Sequence, residues 1–462
     1  MKIETFLDYQ TILANQARPV HFAIKFEADS KILPRAKPAA FCLVIDRSSS
    51  MAGEPLKGAK EAAKLAVRNL RPEDQFGLVV FDSDAQTLIP LQPAANKEPW
   101  LRLIDDVFHA GSTNLAGGWM LGRDELKKAP QDASRRLLLL SDGYLNVGIK
   151  DPPIVRQLVT AGLETDRVRT SCLGFGDGYN EDLMVDLARA TGGQFYDADS
   201  PEKLPTIFAA ELEGLQKLSV QNLRVRFRRL DFCDAAELLG NYPIVQLADG
   251  RIEIALGDLV NGEVRVLCFA LSVLPLPFLE GKPAFRERLV EVEFAFDEIG
   301  ESEVNSKTIS QVIRIQATQN SDDVKIHEEI VPWVAMQTAG RVFEQVTKQM
   351  DAGKNADGIK MLEQAVEQIK AYGPPDQVAE SVAQLERLLQ KIRQGAWSIR
   401  ERKNVKYRTA SLGKMSSVDV WSGSGQAPSF KSPRRHSSHP PGPSDIDNAP
   451  SGGPTGSSHK PA

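Results

Sequence analysis

Three oxygen-bearing side chains stand at alternate positions of one short loop: Asp46, Ser48 and Ser50. The loop follows the apolar run Phe41 to Ile45, which predicts a buried strand, and it precedes a helix predicted to start near Pro55. Open α/β sheets bind ligands where a strand's carboxyl end opens into a helix. One carboxylate and two hydroxyls that leave room for water suit Mg²⁺, which prefers oxygen ligands. A plain helix N-cap explains the same three residues, because Asp and Ser are also common cap residues.

Two later segments add oxygen donors in a similar setting. Gly111-Ser112-Thr113-Asn114 precedes an amphipathic helical stretch, and Ser141-Asp142-Gly143 follows the apolar run Leu137 to Leu140. In order and spacing these segments match the metal-ion-dependent adhesion site of the von Willebrand factor A (VWA) family, which the chain resembles over roughly residues 38 to 215. The resemblance implies that the hydroxyls of Ser48, Ser50 and Thr113 contact the metal. It further implies that Asp46 and Asp142 act directly or through water, with Mg²⁺ or Mn²⁺ as the cofactor.

The residues around this motif define a predicted partner-binding rim of Arg47, Ser49 and His109. The family usually has glycine where Ser49 stands, and the charge of Arg47 is unusual there, but both departures leave the set of metal ligands intact. For His109 an ordinary surface or packing role is the favoured alternative. Asp82 and Asp84 resemble a second metal pair, but a solvated turn after a strand is the favoured interpretation.

The chemistry of such a site indicates binding rather than catalysis. Hydroxyl ligands donate little charge, so a cation held by them retains affinity for another anionic oxygen. In the family that ligand is typically an Asp or Glu of a partner protein. We therefore predict a protein-interaction module that is not an enzyme, since no His, Lys or Cys in these segments supplies a base or nucleophile. The alternatives are a Mg²⁺-dependent hydrolase and an RNA-binding scaffold. Adaptors of ring-shaped ATPases occur in the broader family, so such an ATPase is a candidate partner.

The spacing of apolar residues along the chain predicts the strands and helices that position these side chains. Nearly continuous apolar runs alternating with helical stretches predict an α/β domain with a doubly wound, mostly parallel sheet. Alternating strands on both sides of it predict that this domain is inserted into a discontinuous antiparallel β-sandwich. A small helical hairpin region and a disordered tail follow. The predicted boundaries are 1–37 and 217–328 for the sandwich, 38–216 for the VWA domain, 329–394 for the helical region and 395–462 for the tail.

The tail is rich in Ser, Pro and Gly, a composition that buries too little apolar surface to order itself. Arg408 stands three residues before Ser411, a spacing that suits a basophilic kinase and makes Ser411 a possible phosphorylation site and a signalling kinase a possible partner. A solvated linker without a specific reader is the favoured alternative.

Composition narrows the function classes. With 56 Lys and Arg against 61 Asp and Glu, the net charge of -5 gives no basic footprint for nucleic acid. No apolar run approaches the length of a membrane span, and the first residues lack the pattern of a secretory signal. Four cysteines without CxxC spacing suggest buried free thiols rather than zinc ligands or disulfides. Together these features predict a cytoplasmic protein.

Overall fold

The computed structural model describes residues 1–28, 39–130, 133–142, 144–277, 286–300 and 304–412. In these ranges the chain forms an α/β domain, a β-sandwich and a group of helices. The α/β domain contains one six-stranded sheet, ordered β6-β5-β4-β7-β8-β9, in which only the edge strand β6 runs antiparallel. Its strands are β4 (Ala39–Asp46), β5 (Gln75–Phe81), β6 (Ala85–Pro93), β7 (Ser134–Ser141), β8 (Val168–Phe175) and β9 (Phe195–Ala198).

Helices cover both faces of this sheet, which explains why its central strands read as continuous apolar runs. Every residue of β4 and β8 is buried. The covering helices are α1 (Glu54–Asn69), α2 (Glu98–Asp105), α3 (Leu115–Leu126), α4 (Pro152–Asp166), α5 (Glu181–Thr191) and α6 (Leu204–Gln216). The predicted doubly wound, mostly parallel sheet is therefore confirmed.

The strand register brings three chain segments to one edge of the sheet. Asp46 pairs with Phe81 of β5, and Ile45 pairs with Leu140 of β7. The carboxyl ends of β5, β4 and β7 are therefore level with one another. The loops that follow these strands must share this edge, which we call the carboxyl edge.

The β-sandwich is assembled from strands on both sides of the α/β domain. One sheet has the order β1-β3-β14-β11 and the other β12-β13-β10-β15-β16-β2. Strands β1 (Lys2–Leu7), β2 (Thr11–Leu13) and β3 (Arg18–Glu27) come before that domain. The strands that come after it are β10 (Leu218–Arg229), β11 (Cys233–Leu238), β12 (Ile244–Gln246), β13 (Ile252–Val260), β14 (Val264–Val273), β15 (Arg286–Ile299) and β16 (Val304–Thr318).

The insertion follows from the pairing of β3, which lies between β1 and β14 and is hydrogen-bonded to β14 over ten residue pairs from Arg18 to Glu27. Its apolar face contributes Phe22 and Phe26 to the sandwich core, where the ring of Phe22 stacks on that of Phe269. The ring of Phe26 contacts that of Phe294 on β15, a strand of the other sheet. Without the later strands, β3 would lack both its neighbour in the sheet and the cover of its apolar face, so the first strands and the later ones form one folding unit.

Buried ion pairs join the sandwich to the α/β domain. Arg136 of β7 pairs with Glu211 of α6 at 2.9 Å and with Asp258 of β13 at 3.4 Å. Arg169 of β8 pairs with the same Asp258 carboxylate at 2.6 Å. All four side chains are at least nine-tenths buried, so the network fixes the two parts in one relative orientation.

Three helices pack on the sandwich after its last strand: α7 (Val331–Asp351), α8 (Asn355–Tyr372) and α9 (Pro375–Arg393). The buried Gln337 of α7 accepts the Cys268 N–H at 3.1 Å and donates to the Val266 carbonyl at 2.8 Å. These hydrogen bonds attach α7 to the backbone of β14. The helical region is thus docked on the β-sandwich through α7.

A fourth helix, α10 (Ile399–Leu412), occupies the start of the predicted disordered tail. The prediction of disorder from residue 395 is wrong for this stretch. Its side chains Arg400, Arg402, Lys403 and Lys406 form ion pairs. Lys403 is 1% exposed and donates to Glu181 Oε2 and to the Tyr179 carbonyl, both at 2.8 Å. Ser411 falls in the last turn of this helix, and residues 413–462 lie outside the described residues.

The four cysteines are free and buried. Burial raises the pKa of all four thiols, that of Cys233 to about 11. This confirms the interpretation of buried thiols. None of the described helices is long and apolar enough to cross a membrane.

Candidate metal centre

The centre is built around Asp46, the last residue of β4, whose side chain is completely buried. Its Oδ1 accepts the Ser48 N–H at 2.8 Å, and its Oδ2 accepts the Ser141 hydroxyl at 2.6 Å. Because Ser141 ends β7, this second bond ties the ends of two adjacent strands together. The carboxylate is thus held in one orientation at the base of the loop.

Ser48 and Ser50 extend the oxygen cluster toward solvent. A 3₁₀ turn over Ser49–Met51 follows Ser48, and its buried Met51 side chain anchors the turn in the core. The two serine hydroxyls lie 3.1 Å apart, and the Ser50 hydroxyl donates to Asp142 Oδ1 at 2.8 Å. Three of the five predicted ligands are therefore joined by direct hydrogen bonds between side chains, and Asp46 is joined to Ser48 through the Ser48 N–H.

Thr113 reaches the same edge through its backbone. Its buried side chain precedes Asn114, whose Oδ1 caps α3 by accepting the Gly117 N–H at 3.0 Å. The Gly111 carbonyl accepts both the Ser49 N–H (3.2 Å) and the Ser49 hydroxyl (2.8 Å). Gly111 has φ +62°, and a Cβ there would lie 2.8 Å from the Ser83 hydroxyl oxygen, so this close approach of the loops requires glycine.

Burial disfavours the charged form of both carboxylates, Asp46 and Asp142. Burial raises the pKa of Asp46 to about 6, against the opposing hydrogen bonds from Ser141 and Ser48. Burial also raises the pKa of Asp142, although the Ser50 hydroxyl opposes this. Two such carboxylates beside three hydroxyl-bearing residues form an all-oxygen donor set, which fits a hard divalent cation. In the described ranges no group of three or more His, Cys, Asp or Glu offers an alternative metal site.

The predicted rim residues have different environments. Arg47 is half-buried, and its Nε lies 2.8 Å from Asp82 Oδ2, while Ser49 and His109 are exposed. Asp82 Oδ1 also accepts the Asp84 N–H at 3.0 Å. Asp82 is thus engaged by Arg47 and by its own turn, which supports the turn interpretation of Asp82 and Asp84 over a second metal pair.

The sequence interpretation missed three residues at this edge. Ser141 holds Asp46, and its position directly before Asp142 at the end of an apolar run was the available signal. Phe108 and Tyr144 are 66% and 56% exposed and lie in the loops that carry Thr113 and Asp142. Nothing in the local sequence distinguishes an exposed aromatic side chain in a loop from a buried one.

Comparisons with known proteins concern the family and the fold of this chain. The model of the von Willebrand factor type A domain matches residues 41–210. An uncharacterized protein of Synechocystis is 27% identical over 327 residues, which cover 68% of this chain and 75% of the relative. An inter-alpha-trypsin inhibitor heavy chain of Bos taurus is 32% identical over 175 residues, which cover 35% of this chain but 19% of that relative.

Two solved structures share more than the α/β domain. A von Willebrand factor type A protein from Catenulispora acidiphila covers 82% of this chain and 88% of its own length, with a TM-score of 0.64 at 16% identity. A paralog of ArnB from Sulfolobus acidocaldarius covers 89% of this chain and 98% of its own, with a TM-score of 0.57 at 13% identity. At such low identity these likenesses concern the fold alone. The fold and the family match lead to one conclusion: residues 41–210 of this chain are a von Willebrand factor type A domain.

Proposed function

We propose that this chain is a Mg²⁺-dependent adaptor that binds an Asp or Glu side chain of a partner protein. VWA domains are typical protein-interaction modules, and the observation that supports the finer statement is the side-chain oxygen cluster of Ser48, Ser50 and Asp142 above the buried Asp46. In this proposal Ser48, Ser50 and Thr113 hold the cation through their hydroxyls. Asp46 and Asp142 complete the site directly or through water. Mn²⁺ suits the same oxygen donors.

The cation supplies an electrophilic centre that takes one further anionic oxygen. The residues of this chain do the positioning: Asp46 orients Ser48 through its N–H, and Asp142 orients the Ser50 hydroxyl. The hydrogen bonds between Asp46, Ser48, Ser50, Ser141 and Asp142 are made by serine, aspartate and backbone groups. That set of groups favours binding of a ligand over proton transfer. We therefore propose that the chain binds a partner and does not catalyse a reaction, and that it does so in the cytoplasm.

The sandwich and the helices act as a rigid mount in this proposal. The buried pairs from Arg136 and Arg169 to Asp258 fix the α/β domain on the sandwich. A partner held at the carboxyl edge would therefore keep a defined orientation relative to the rest of the chain. A ring-shaped ATPase as that partner remains a prediction from the family resemblance, and a signalling kinase remains a prediction from the spacing of Arg408 and Ser411.

The test is partner capture from cell extract by the full chain in Mg²⁺ and in EDTA. Asp46→Ala should abolish the Mg²⁺-dependent capture, because it removes the carboxylate at the base of the site. Asp84→Ala is the matched control, since it removes an exposed carboxylate from the same edge and should change nothing. Capture that survives EDTA and Asp46→Ala unchanged would contradict the proposal.

A further inference from the structure

Two exposed aromatic side chains flank the metal centre. Among the large hydrophobic side chains that are exposed in the described ranges, Phe108 and Tyr144 are the two aromatic ones. Both lie at the carboxyl edge, whereas the others are aliphatic and lie on helices α2, α4 and α10, on strands of the sandwich or on its loops. Exposed aromatic groups are concentrated at protein-binding surfaces, because they bury a large area at little cost in conformational entropy.

The segments next to the two aromatic residues follow strands on opposite sides of β4. The ring centroid of Phe108 lies 5.7 Å from the guanidinium carbon of Arg47, which pairs with Asp82 just beyond β5. Tyr144 follows Asp142 by two residues, just beyond β7. In the sheet β5 and β7 flank β4 from either side, and adjacent strands are spaced by about 4.8 Å, so the two flanks are roughly 10 Å apart.

Backbone hydrogen bonds fix both loops against the ligand-bearing segments. The Ala110 N–H donates to the Arg47 carbonyl at 2.8 Å, two residues after Phe108. The N–H groups of Asn146 and Val147 both donate to the Thr113 carbonyl at 3.1 Å, shortly after Tyr144. The aromatic side chains are therefore carried by backbone that is anchored to the segments of Arg47 and Thr113.

We infer that the site selects an extended protein segment whose Asp or Glu has apolar side chains two residues before and two residues after it. This inference rests on the proposed function. In an extended chain, side chains at positions i-2, i and i+2 face the same way, and the outer two are about 13 Å apart. With the central carboxylate directed at the metal, the outer two side chains fall over Phe108 and Tyr144. Residues at i-1 and i+1 face away from this surface and contribute little.

Two synthetic peptides of identical composition test the inference. One, acetyl-Gly-Leu-Ser-Asp-Ser-Leu-Gly-amide, has leucine two residues from the Asp, and the other, acetyl-Gly-Ser-Leu-Asp-Leu-Ser-Gly-amide, has leucine next to it. Calorimetric titration into the full chain in Mg²⁺ should show about ten-fold tighter binding of the first, the gain expected from partial burial of two leucines. Equal affinities, or binding of neither peptide at millimolar concentration, would overturn the inference.

A double variant, Phe108→Ser with Tyr144→Ser, should reduce the affinity of the first peptide to that of the second and leave Mg²⁺ affinity unchanged. Ile399→Ser is the matched control, because Ile399 is as exposed as Phe108 and lies on α10. Failure of this inference is distinguishable from failure of the proposed function. If Asp-to-Asn peptides lose binding while the leucine position has no effect, the carboxylate site stands and only the aromatic selection fails. If Mg²⁺ itself does not bind, both fail.

Discussion

The candidate metal loop over residues 46–50 and the helix α10 are both held by carboxylates, but they differ in how far away their partners lie along the chain. Asp46 orients Ser48 two residues away, and a parallel register brings Ser141 alongside. In α10, Lys403 depends on Tyr179 and Glu181, more than two hundred residues earlier. Strand order and local spacing therefore suffice to foresee the first, whereas the second depends on charge complementarity between distant segments.

The largest effect on α10 should come from Lys403→Met. Lys403 is buried, with its Nζ 2.8 Å from Glu181 Oε2 and 3.5 Å from the centroid of the Tyr179 ring. Removing one partner of a buried ion pair costs about 3 kcal/mol, because the remaining charge keeps its desolvation penalty. We expect α10 to detach, which hydrogen exchange over residues 399–412 will measure as lost protection.

The control for that measurement is Lys370→Met. Lys370 pairs with Glu386 at 2.9 Å, but both side chains are about half exposed, so the loss should stay below about 1 kcal/mol. Unchanged protection of α10 in Lys403→Met would show that the buried pair does not hold the helix.

A smaller effect on Mg²⁺ binding is expected from a change in the loop that contacts both Asp142 and α10. The loop after β8 lies against the metal centre, where a Cβ on Gly178 would sit 2.9 Å from the Asp142 carbonyl oxygen. The next residue, Tyr179, is the one that α10 contacts. Gly178→Ala should displace the Asp142 backbone and weaken Mg²⁺ binding several-fold, corresponding to about 1 kcal/mol. Calorimetry measures this, and intact exchange protection of α10 would show that the helix itself stays docked.

If Gly178→Ala left Mg²⁺ affinity unchanged and freed α10 instead, the loop would belong mechanically to the helix alone. Residues 46–50 and the helix α10 would then be two independent regions rather than two regions that share a loop.

The smallest effect concerns pH. Burial of Asp182 favours a higher pKa, but hydrogen bonds from Arg402 and Lys406 hold the pKa of Asp182 below its usual 3.8. A carboxyl group whose pKa is lower in the folded state than in the unfolded state stabilises the fold at pH values above its unfolded-state pKa. This contribution is lost as the pH falls through the folded-state pKa. We therefore expect α10 to loosen only below about pH 3.8. Loosening between pH 7 and pH 5, followed by amide exchange, would contradict this assignment.

Much of the fold was predictable because its signals are local. Continuous apolar runs identify strands that are covered on both faces, and alternating runs identify the sandwich strands β3 and β10. The order of Asp46, Thr113 and Asp142 along the chain then predicts one shared edge, since parallel strands align their carboxyl ends. The register pairs Asp46 with Phe81 and Ile45 with Leu140, as that argument requires.

The remainder depends on contacts that composition does not encode. A stretch with the sequence Arg400-Glu401-Arg402-Lys403 is typical of a solvated segment, and only the folded chain supplies Asp197, Glu181 and Asp351 as partners for its cations. The exposure of Phe108 and Tyr144 is equally hidden, because an aromatic residue in a loop is as often buried as exposed. Both misses concern side chains whose environment is created by remote segments.

The most direct test of the central claim is a calorimetric titration of the full chain with Mg²⁺, repeated for Thr113→Ala and Asp84→Ala. We expect one site per chain in the wild type, an affinity at least ten-fold weaker in Thr113→Ala, and no change in Asp84→Ala. Thr113 is the informative choice because its loop joins the cluster from a separate segment, through the bonds between Gly111 and Ser49. Equal Mg²⁺ affinity in the wild type and Thr113→Ala, or no binding in the wild type, would contradict the assignment of this edge as a metal centre.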